Sequence, residues 1–403
     1  MRFTLCLLAS TALAACSGGG PTTVGGSAVT SAGSGVGTVV SSGHTFVTPT
    51  EAKTYAGIGG AHSFNYSSDD RGDSDFGFQY NQLYAGDAST ARNSGISVTY
   101  DPRDAIFNIA IRTTPGGVDA NRRFQDPVHR TAFGGLSQPQ GGVPNLTSDG
   151  FLYLESGSAS ATRRFDRSLS TTFPIGDDTA SFDTQTFFYQ RPGTTTKYVT
   201  LAGFVRNSST ISLVEPDNAP NYLRQDYQLS RAAFAYGERT SNSAVPTSGS
   251  GTFNGAMIAT LVYNPQFDDF NDASTFFQWL SGTAKTTVNF ATNTFTLDLA
   301  GTVGAPLFDV FTTRRVSLDT GATFAASGAG RVDLINAGGF LGAVNSASFV
   351  QNNGTRLNLN IAGSSIDGAF FGPTAQEVGG GFRIVGGVPD QRVDILGAFI
   401  GQR

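Results

Sequence analysis

Two kinds of hydrophobic pattern divide the chain. From Thr252 onward apolar residues fall on alternate positions. Phe253, Met257, Ala259, Leu261 and Tyr263 share one parity. Ala284, Val288 and Phe290 alternate with Lys285, Thr287 and Asn289. Beyond the turn Ala291–Thr294, Phe295, Leu297 and Leu299 alternate with Thr296 and Asp298. A period of two marks strands with one wet and one dry face, here joined as a hairpin. Further strands are predicted at Val332–Leu334, Leu357–Ile361, Ile366–Phe371, Phe382–Ile384 and Val393–Ile400. About eight strands over residues 246–403 suit a closed antiparallel barrel, which leaves no sheet edge open.

Between His44 and Gly237 the runs are shorter and less regular. Gly95–Asp101 and Ala105–Ile111 read as two strands around Asp101-Pro102-Arg103-Asp104. Phe151–Leu154, Thr186–Tyr189, Lys197–Leu201 and Phe204–Val205 are further strand candidates. Residues 121–150 form a long polar stretch without periodicity, which predicts a functional or mobile loop. The segment from Val245 to Gly251, rich in Pro, Ser and Gly, is the clearest boundary, dividing a β-rich domain 44–244 from a barrel domain 245–403. The expected fold is all-β, with the eight-stranded antiparallel barrel second.

The N-terminus lacks either pattern. Arg2 precedes a short apolar run, Phe3 to Leu13, too short to span a bilayer as a helix. It ends in Leu13-Ala14-Ala15-Cys16, which resembles a bacterial lipobox. The expectation is a lipoprotein signal peptide over 1–15, with Cys16 carrying the lipid. Ser17, rather than aspartate, follows the cysteine, which favours the outer membrane in the lipoproteins this resembles. Residues 16–43 contain no charged residue and read as a lipidated tether, reaching on the order of 30 Å as a coil at roughly 5–6 Å times √n.

Composition narrows the possible chemistry. Glycine (51 residues) and phenylalanine (32) are abundant, while there are only 2 methionines, as expected of an all-β chain rich in loops. Loss of Arg2 with the leader takes 26 basic residues to 25 against 31 acidic, a net charge of −6. That excludes nucleic acid as the expected partner, since it calls for a concentrated basic surface. Cys6 leaves with the leader and Cys16 is assigned to the lipid, so the mature chain has no thiol for a disulfide, a zinc site or a nucleophile. Core burial alone must stabilise it.

One motif occurs twice near the end, as Gly368-Ala-Phe-Phe-Gly372 and Gly397-Ala-Phe-Ile-Gly401. Both read as strands at or near closure of the barrel, with glycine permitting bends and phenylalanine filling the interior. In order along the chain, the motifs resemble the transferrin-binding protein B-like surface lipoproteins. Ala235 to Thr240 and Val245 to Gly255 resemble the entry to that family's barrel. Val288-Asn289-Phe290 with Phe295-Thr296 matches its first hairpin. Gly368 to Gly380 and Gly397 to Arg403 look like its terminal marks, and Gly95 to Ile111 is similar to the strand pair of the preceding "handle" domain. The resemblance implies a non-catalytic lipoprotein anchored by lipid in the outer membrane and facing the cell exterior. Such a protein captures an extracellular protein or an iron or haem carrier, with a TonB-dependent receptor and a surface-lipoprotein translocon as companions. This chain departs from the namesake in having one handle and one barrel rather than two of each, and in lacking disulfides.

Candidate chemistry is sparse. His44, His62 and His129 lack metal-ligand spacing and read as solvated loop residues. Asp69, Asp70, Asp73 and Asp75 suggest calcium at first sight, but the glycine is misplaced for an EF-hand and the bidentate glutamate is missing, so a polar turn is expected. The Arg71-Gly72-Asp73 triplet within it is read as incidental. No nucleophile elbow, phosphate loop or triad emerges, and neither an enzyme nor a cofactor is expected. Binding is better served by two segments. Phe267, Phe270, Phe276, Phe277 and Trp279 lie between the first two predicted barrel strands, either exposed as anchors or folded back into the core. Arg122, Arg123, Phe124 and Arg130 mix cations and aromatics in the predicted loop, where they suit an acidic partner or are simply solvated. The competing function is a periplasm-facing structural lipoprotein in envelope or surface-layer assembly. A transmembrane barrel is opposed by Lys285, Asp298 and Asn358 on the outward parity, which lipid would penalise.

Overall fold

The computed structural model describes residues 49–70, 79–80, 94–111, 120–125, 142–157, 179–218, 221–264, 276–306, 318–386 and 392–403. The expected leader 1–15, Cys16, the tether, His44, the Arg71-Gly72-Asp73 triplet, Asp75, His129, Arg130, Phe267 and Phe270 lie outside these residues. The described chain is all-β, with N-terminal sheets followed by a closed eight-stranded antiparallel barrel.

The N-terminal part holds two sheets. The smaller takes β1 (Lys53–Ala56), β4 (Ile96–Asp101), β5 (Ile106–Ile111) and β6 (Ala120–Gln125), in that spatial order. The turn expected between β4 and β5 is present. Asp101 Oδ1 accepts the backbone N–H of Arg103 at 3.0 Å, and Ala105 sits at φ 52° to reverse the chain. The segment expected to be a loop from residue 121 instead begins as β6, paired with β5 from Ile106↔Gln125 to Ile111↔Ala120. Its polar residues conceal a strand: Arg122 shares the inward parity of the buried Phe124, and Arg123 between them is exposed.

The larger sheet contains β2 (Ile58–Asp70), β3 (Gln79–Tyr80), β7 (Phe151–Gly157), β8 (Thr179–Gln190), β9 (Val199–Val214) and β10 (Tyr222–Gly237), in the order β3-β2-β10-β9-β8-β7. The separate runs Lys197–Leu201 and Phe204–Val205 merge into the single strand β9. Asp69 and Asp70, read as part of a turn, end β2 opposite Arg224 and Leu223. Along the stretches Phe187–Tyr189, Val199–Val205 and Ala232–Tyr236 both faces of this sheet are buried. Phe187, Ala202, Phe204 and Phe234 pack under the smaller sheet with Val98, Phe107, Ile109 and Phe124. Phe188, Leu201, Val205, Ala233 and Ala235 face the other way, onto the barrel. A strand dry on both sides cannot alternate polar with apolar, and this explains runs such as Ala232–Tyr236.

The barrel is a meander. β11 (Ser250–Asn264), β12 (Phe276–Asn289), β13 (Thr294–Val303), β14 (Thr323–Asp333), β15 (Gly339–Val350), β17 (Ile361–Phe371), β18 (Glu377–Gly386) and β19 (Arg392–Gln402) pair each with the next. β19 then returns to β11 through partners such as Ala259↔Gly397 and closes the ring. The short β16 (Arg356–Asn358) pairs beside Ser348–Val350 of β15, so Leu357–Ile361 is not one barrel strand as expected. The eighth wall strand is β15, which the alternation did not reveal. The hairpin read from Val288 and Phe295 is present with those residues opposite each other.

The barrel interior is solid. Phe253, Phe290, Phe295, Leu297, Phe370 and Phe382, all assigned inward, belong to one buried cluster. Phe340 lies at its centre, 4.7 Å from Phe295, 5.5 Å from Phe370 and 6.3 Å from Phe399 between ring centroids. An eight-stranded ring is just wide enough for such a filling. The repeated motif serves this packing. A Cβ on Gly368 would lie 2.1 Å from Phe340 Cζ, and one on Gly397 would lie 2.5 Å from Phe382 Cζ. These glycines therefore make room for a neighbouring ring rather than a bend.

Candidate functional site

Of the candidate aromatics, the two whose side chains are described, Phe277 and Trp279, do not lie at the surface. Residues 276–280, expected to precede the second barrel strand, are its first turn-proximal stretch within β12. Alternation there sends Leu280 inward and Phe277 and Trp279 outward, under the larger sheet. Trp279 is 6% exposed and Phe277 5%. The indole N–H of Trp279 donates to the carbonyl of Gly142 at 2.8 Å. These two side chains are core, not exposed anchors; the backbone of Phe276 belongs to the strand. Between them Gln278, 1% exposed, turns inward and ties down a barrel end. Its amide donates to the carbonyls of Gly304 and Leu318 and its oxygen accepts the N–H of Leu318.

The cationic group divides similarly. Phe124, 2% exposed, lies between Phe187 and Phe204 and is unavailable to a partner. Arg122 donates through Nε to the buried Gln185 Oε1 at 2.8 Å, while Arg123 is exposed on β6. At the far end of the predicted loop, Tyr153 pins the chain to the sheet. Its hydroxyl accepts the N–H of Leu146 at 2.6 Å and donates to Pro144 O at 2.8 Å.

The polar chemistry that the structure does assemble lies between the larger sheet and the barrel wall. Apolar contacts frame it: Ile58, Phe188, Val199 and Leu201 meet Ile258, Trp279, Phe371 and Ile400. Gly59 and Gly381 bring the backbones of β2 and β18 together, since a Cβ on Gly381 would stand 2.9 Å from Gly59 Cα. At one end Glu377, 3% exposed, accepts the backbone N–H groups of Lys197, Tyr198 and Val199 at 2.6, 2.7 and 3.1 Å. Burial raises the pKa of this carboxyl in spite of those three donors, which act to lower it.

At the other end His62 is fully buried, correcting its reading as a solvated loop residue. Its Nδ1 is 2.6 Å from Thr260 Oγ1 and its Nε2 is 3.5 Å from Asp394 Oδ1. Arg383 donates to both oxygens of the same carboxylate, at 3.3 and 3.0 Å. Burial alone would push Asp394 upward; the His62 contact and the Arg383 guanidinium outweigh it and hold the carboxyl below the usual range. Arg231, directly opposite His62 in register, is also fully buried. It donates to the carbonyls of Arg206 and Ser230 and to Asn207 Oδ1, and its guanidinium lies 5.4 Å from the ring centroid of Phe277. Sequence reasoning missed this group, although there was a signal: Arg231 shares the parity of Ala233 and Ala235, and Asp394 interrupts the apolar run Val393–Ile400.

A shallow hollow of about 270 Å³ lies between the β17–β18 turn and the C-terminus, lined by Thr374, Ala375, Gln376, Glu377, Gln402 and Arg403. It is below the roughly 300–1,000 Å³ of common small-molecule pockets.

No protein-family model matches the chain, and no curated protein does either. Solved structures similar to it at low identity include transferrin binding proteins B, over most of the chain, and a structure described as a surface lipoprotein, over a smaller part of it. The vaccine antigen transferrin binding protein B of Haemophilus parasuis is 13% identical, with 86% of this chain and 76% of that one covered and a TM-score of 0.29. Isotype 1 transferrin binding protein B from serogroup B Neisseria meningitidis is 13% identical, with 88% and 77% covered and a TM-score of 0.22. A structure described as a surface lipoprotein is 13% identical, with 49% and 75% covered and a TM-score of 0.20.

Proposed function

We propose that the chain is a non-catalytic, lipid-tethered protein of the outer membrane that displays a rigid β scaffold outside the cell. There it binds an extracellular protein or an iron or haem carrier and passes it to an outer-membrane receptor. The observation behind this reading is the solid barrel. With Phe340 and its neighbours filling the interior and part of the wall covered by the larger sheet, a ligand is left the exterior loops. The barrel motifs at Gly368–Gly380 and Gly397–Arg403 and the lipobox at Leu13–Cys16 support the rest of it. Arg123 and Arg130, with Phe267 and Phe270, remain the candidate contacts from the two segments.

The test uses intact cells. Protease added outside should cleave the protein, and labelled iron-carrying serum proteins should be retained by expressing cells only. Cys16→Ala should abolish the membrane association that detergent is needed to reverse. Protection from external protease would instead favour a periplasm-facing structural role. Haem absorbance held inside the barrel would contradict the exterior-contact reading.

A further inference from the structure

The end of the barrel at which β11 begins and β19 finishes differs in composition from the other. Hydrogen bonds gather its segments. Phe290 N donates to the carbonyl of Gly249 at 2.9 Å, Val332 N to that of Asn293 at 2.8 Å and Arg403 N to that of Gln376 at 3.1 Å. The side-chain amide of Asn242 donates to the carbonyl of Leu334 at 2.6 Å. None of the segments 245–250, 290–294, 334–339 and 372–376 contains a charged residue. Connections from the opposite ends of the strands do: Asp268, Asp269 and Asp272 fall between β11 and β12, and Asp309, Arg314 and Arg315 between β13 and β14.

One side chain stands out from the uncharged end. Ile335 is 93% exposed, and the other exposed large apolar residue among those described, Leu213, is only 37% so. Lone apolar residues at a surface are common, but this one is presented by a built turn. Asp333 Oδ1 accepts the N–H of Asn336 at 2.9 Å, and the Asn336 amide donates to both oxygens of the same carboxylate. Ala337 N donates to the carbonyl of Asp333 at 3.1 Å. Leu334 packs against the barrel core, so its neighbour Ile335 is left outside.

The N-terminal approach meets the same end. Lys53, at the start of β1, is ion-paired with Glu238, whose carbonyl accepts the N–H of Gly372. We propose that this end of the barrel rests on the lipid bilayer that holds the tether, with Ile335 entering the boundary between headgroups and acyl chains. The inference rests on the reading of Cys16 and residues 16–43 as a lipid-bound tether. Uncharged turns lose little on entering the headgroup layer, where an unpaired charge would lose much. Lys53, Arg331 and Arg403 at the rim are held by Glu238, Asp333 and the Ser250 carbonyl. One isoleucine is too little to hold a free protein at a membrane, since even a myristoyl chain binds only marginally. A tether changes the balance by keeping this end at an effective concentration on the order of mM. The opposite strand ends then point away from the bilayer, towards a ligand.

The mature chain 16–403 has a single cysteine, Cys16, which can be coupled to a maleimide-bearing lipid in phosphatidylcholine vesicles with brominated acyl chains. That attachment is independent of what Cys16 carries in the cell, so failure of this inference and failure of the lipoprotein reading are distinguishable. In Ile335→Trp the added indole should be quenched by bromine and emit at shorter wavelength. The one native tryptophan, Trp279, is buried under the larger sheet and gives a constant background. In Thr320→Trp, at the other strand ends, the added emission should be unquenched. Wild type needs no added probe: amide exchange over residues 335–338 should slow several-fold on vesicles, and Ile335→Asp should abolish the slowing. Absence of quenching at position 335, equal quenching at 335 and 320, or exchange that vesicles leave unchanged overturns the proposal.

Discussion

The ring of Phe188 in the larger sheet meets the indole of Trp279 in the barrel wall edge to face, with centroids 5.4 Å apart. Phe188 in turn covers Gly203, its partner on the next strand, where a Cβ would lie 2.2 Å from the ring. One contact thus joins three strands from two parts of the chain. Edge-to-face pairs of this kind contribute about 0.5–1.5 kcal/mol beyond the area they bury.

Trp279→Ala should therefore act on stability. Removing a buried tryptophan costs about 3–5 kcal/mol, and here the carbonyl of Gly142 also loses its donor. Chemical denaturation should show that loss, with affinity for a captured partner retained by the folded fraction. A near-wild-type midpoint with weakened binding would return Trp279 to the surface.

Gly381→Ala should separate the handle from the barrel locally. Its new methyl would meet the backbone of Gly59, with Cα at 2.9 Å and N at 3.1 Å, and backbone cannot step aside as a side chain can. Overpacking of this kind costs about 1–3 kcal/mol. Gly363→Ala is the control, because nothing lies within 4 Å of that position. Equal unfolding midpoints for the two variants would show that the close approach is not tight.

Asp394→Asn should weaken the fold near neutral pH. Breaking a buried pair by removing one partner costs about 3–5 kcal/mol, and Arg383 and His62 both lose a carboxylate. The folded pKa of Asp394 is depressed below its ordinary value of 3.8, so its contribution is complete above that value and fades as pH falls through the lower folded value. Glu377 runs the other way. Its folded pKa is raised above 4.5, so the contribution from its titration is greatest below that value and lost as pH rises through the folded value. Stability–pH curves of Asp394→Asn and Glu377→Gln should therefore differ from wild type with opposite slopes in the acid range, and parallel curves would refute the assignment.

A fragment of residues 246–403 should form the barrel alone, since every wall strand and the β19–β11 closure lie within it. It would also uncover Ile258, Trp279, Phe371 and Ile400, now sealed under the larger sheet. Cooperative unfolding with a β-type circular dichroism spectrum is expected, together with concentration-dependent self-association. A disordered spectrum would mean that the handle is needed to complete the core.

The sequence alone determined the all-β class and the barrel strands whose wet and dry residues alternate without interruption. Phe295, Leu297 and Leu299 are buried and their neighbours exposed, so water itself wrote the alternation of β13. The pattern failed where that condition fails. In β15 the buried positions change parity between Val344 and Ala347, where the register shift opposite Ser327/Gly328 inserts Asn345, so no period of two runs through the strand. In β14 the inward Gly328 and Gly330 leave room for Ile366 and Phe295 and supply no hydrophobic signal of their own. The destinations of His62, Arg231, Phe124 and Trp279 were decided by tertiary structure alone. Whether a side chain meets water depends on which sheet covers its strand, and Thr260 and Asp394 reach His62 from positions 198 and 332 residues further along the chain. Only the folded stacking of sheet on barrel brings those groups to hydrogen-bonding distance.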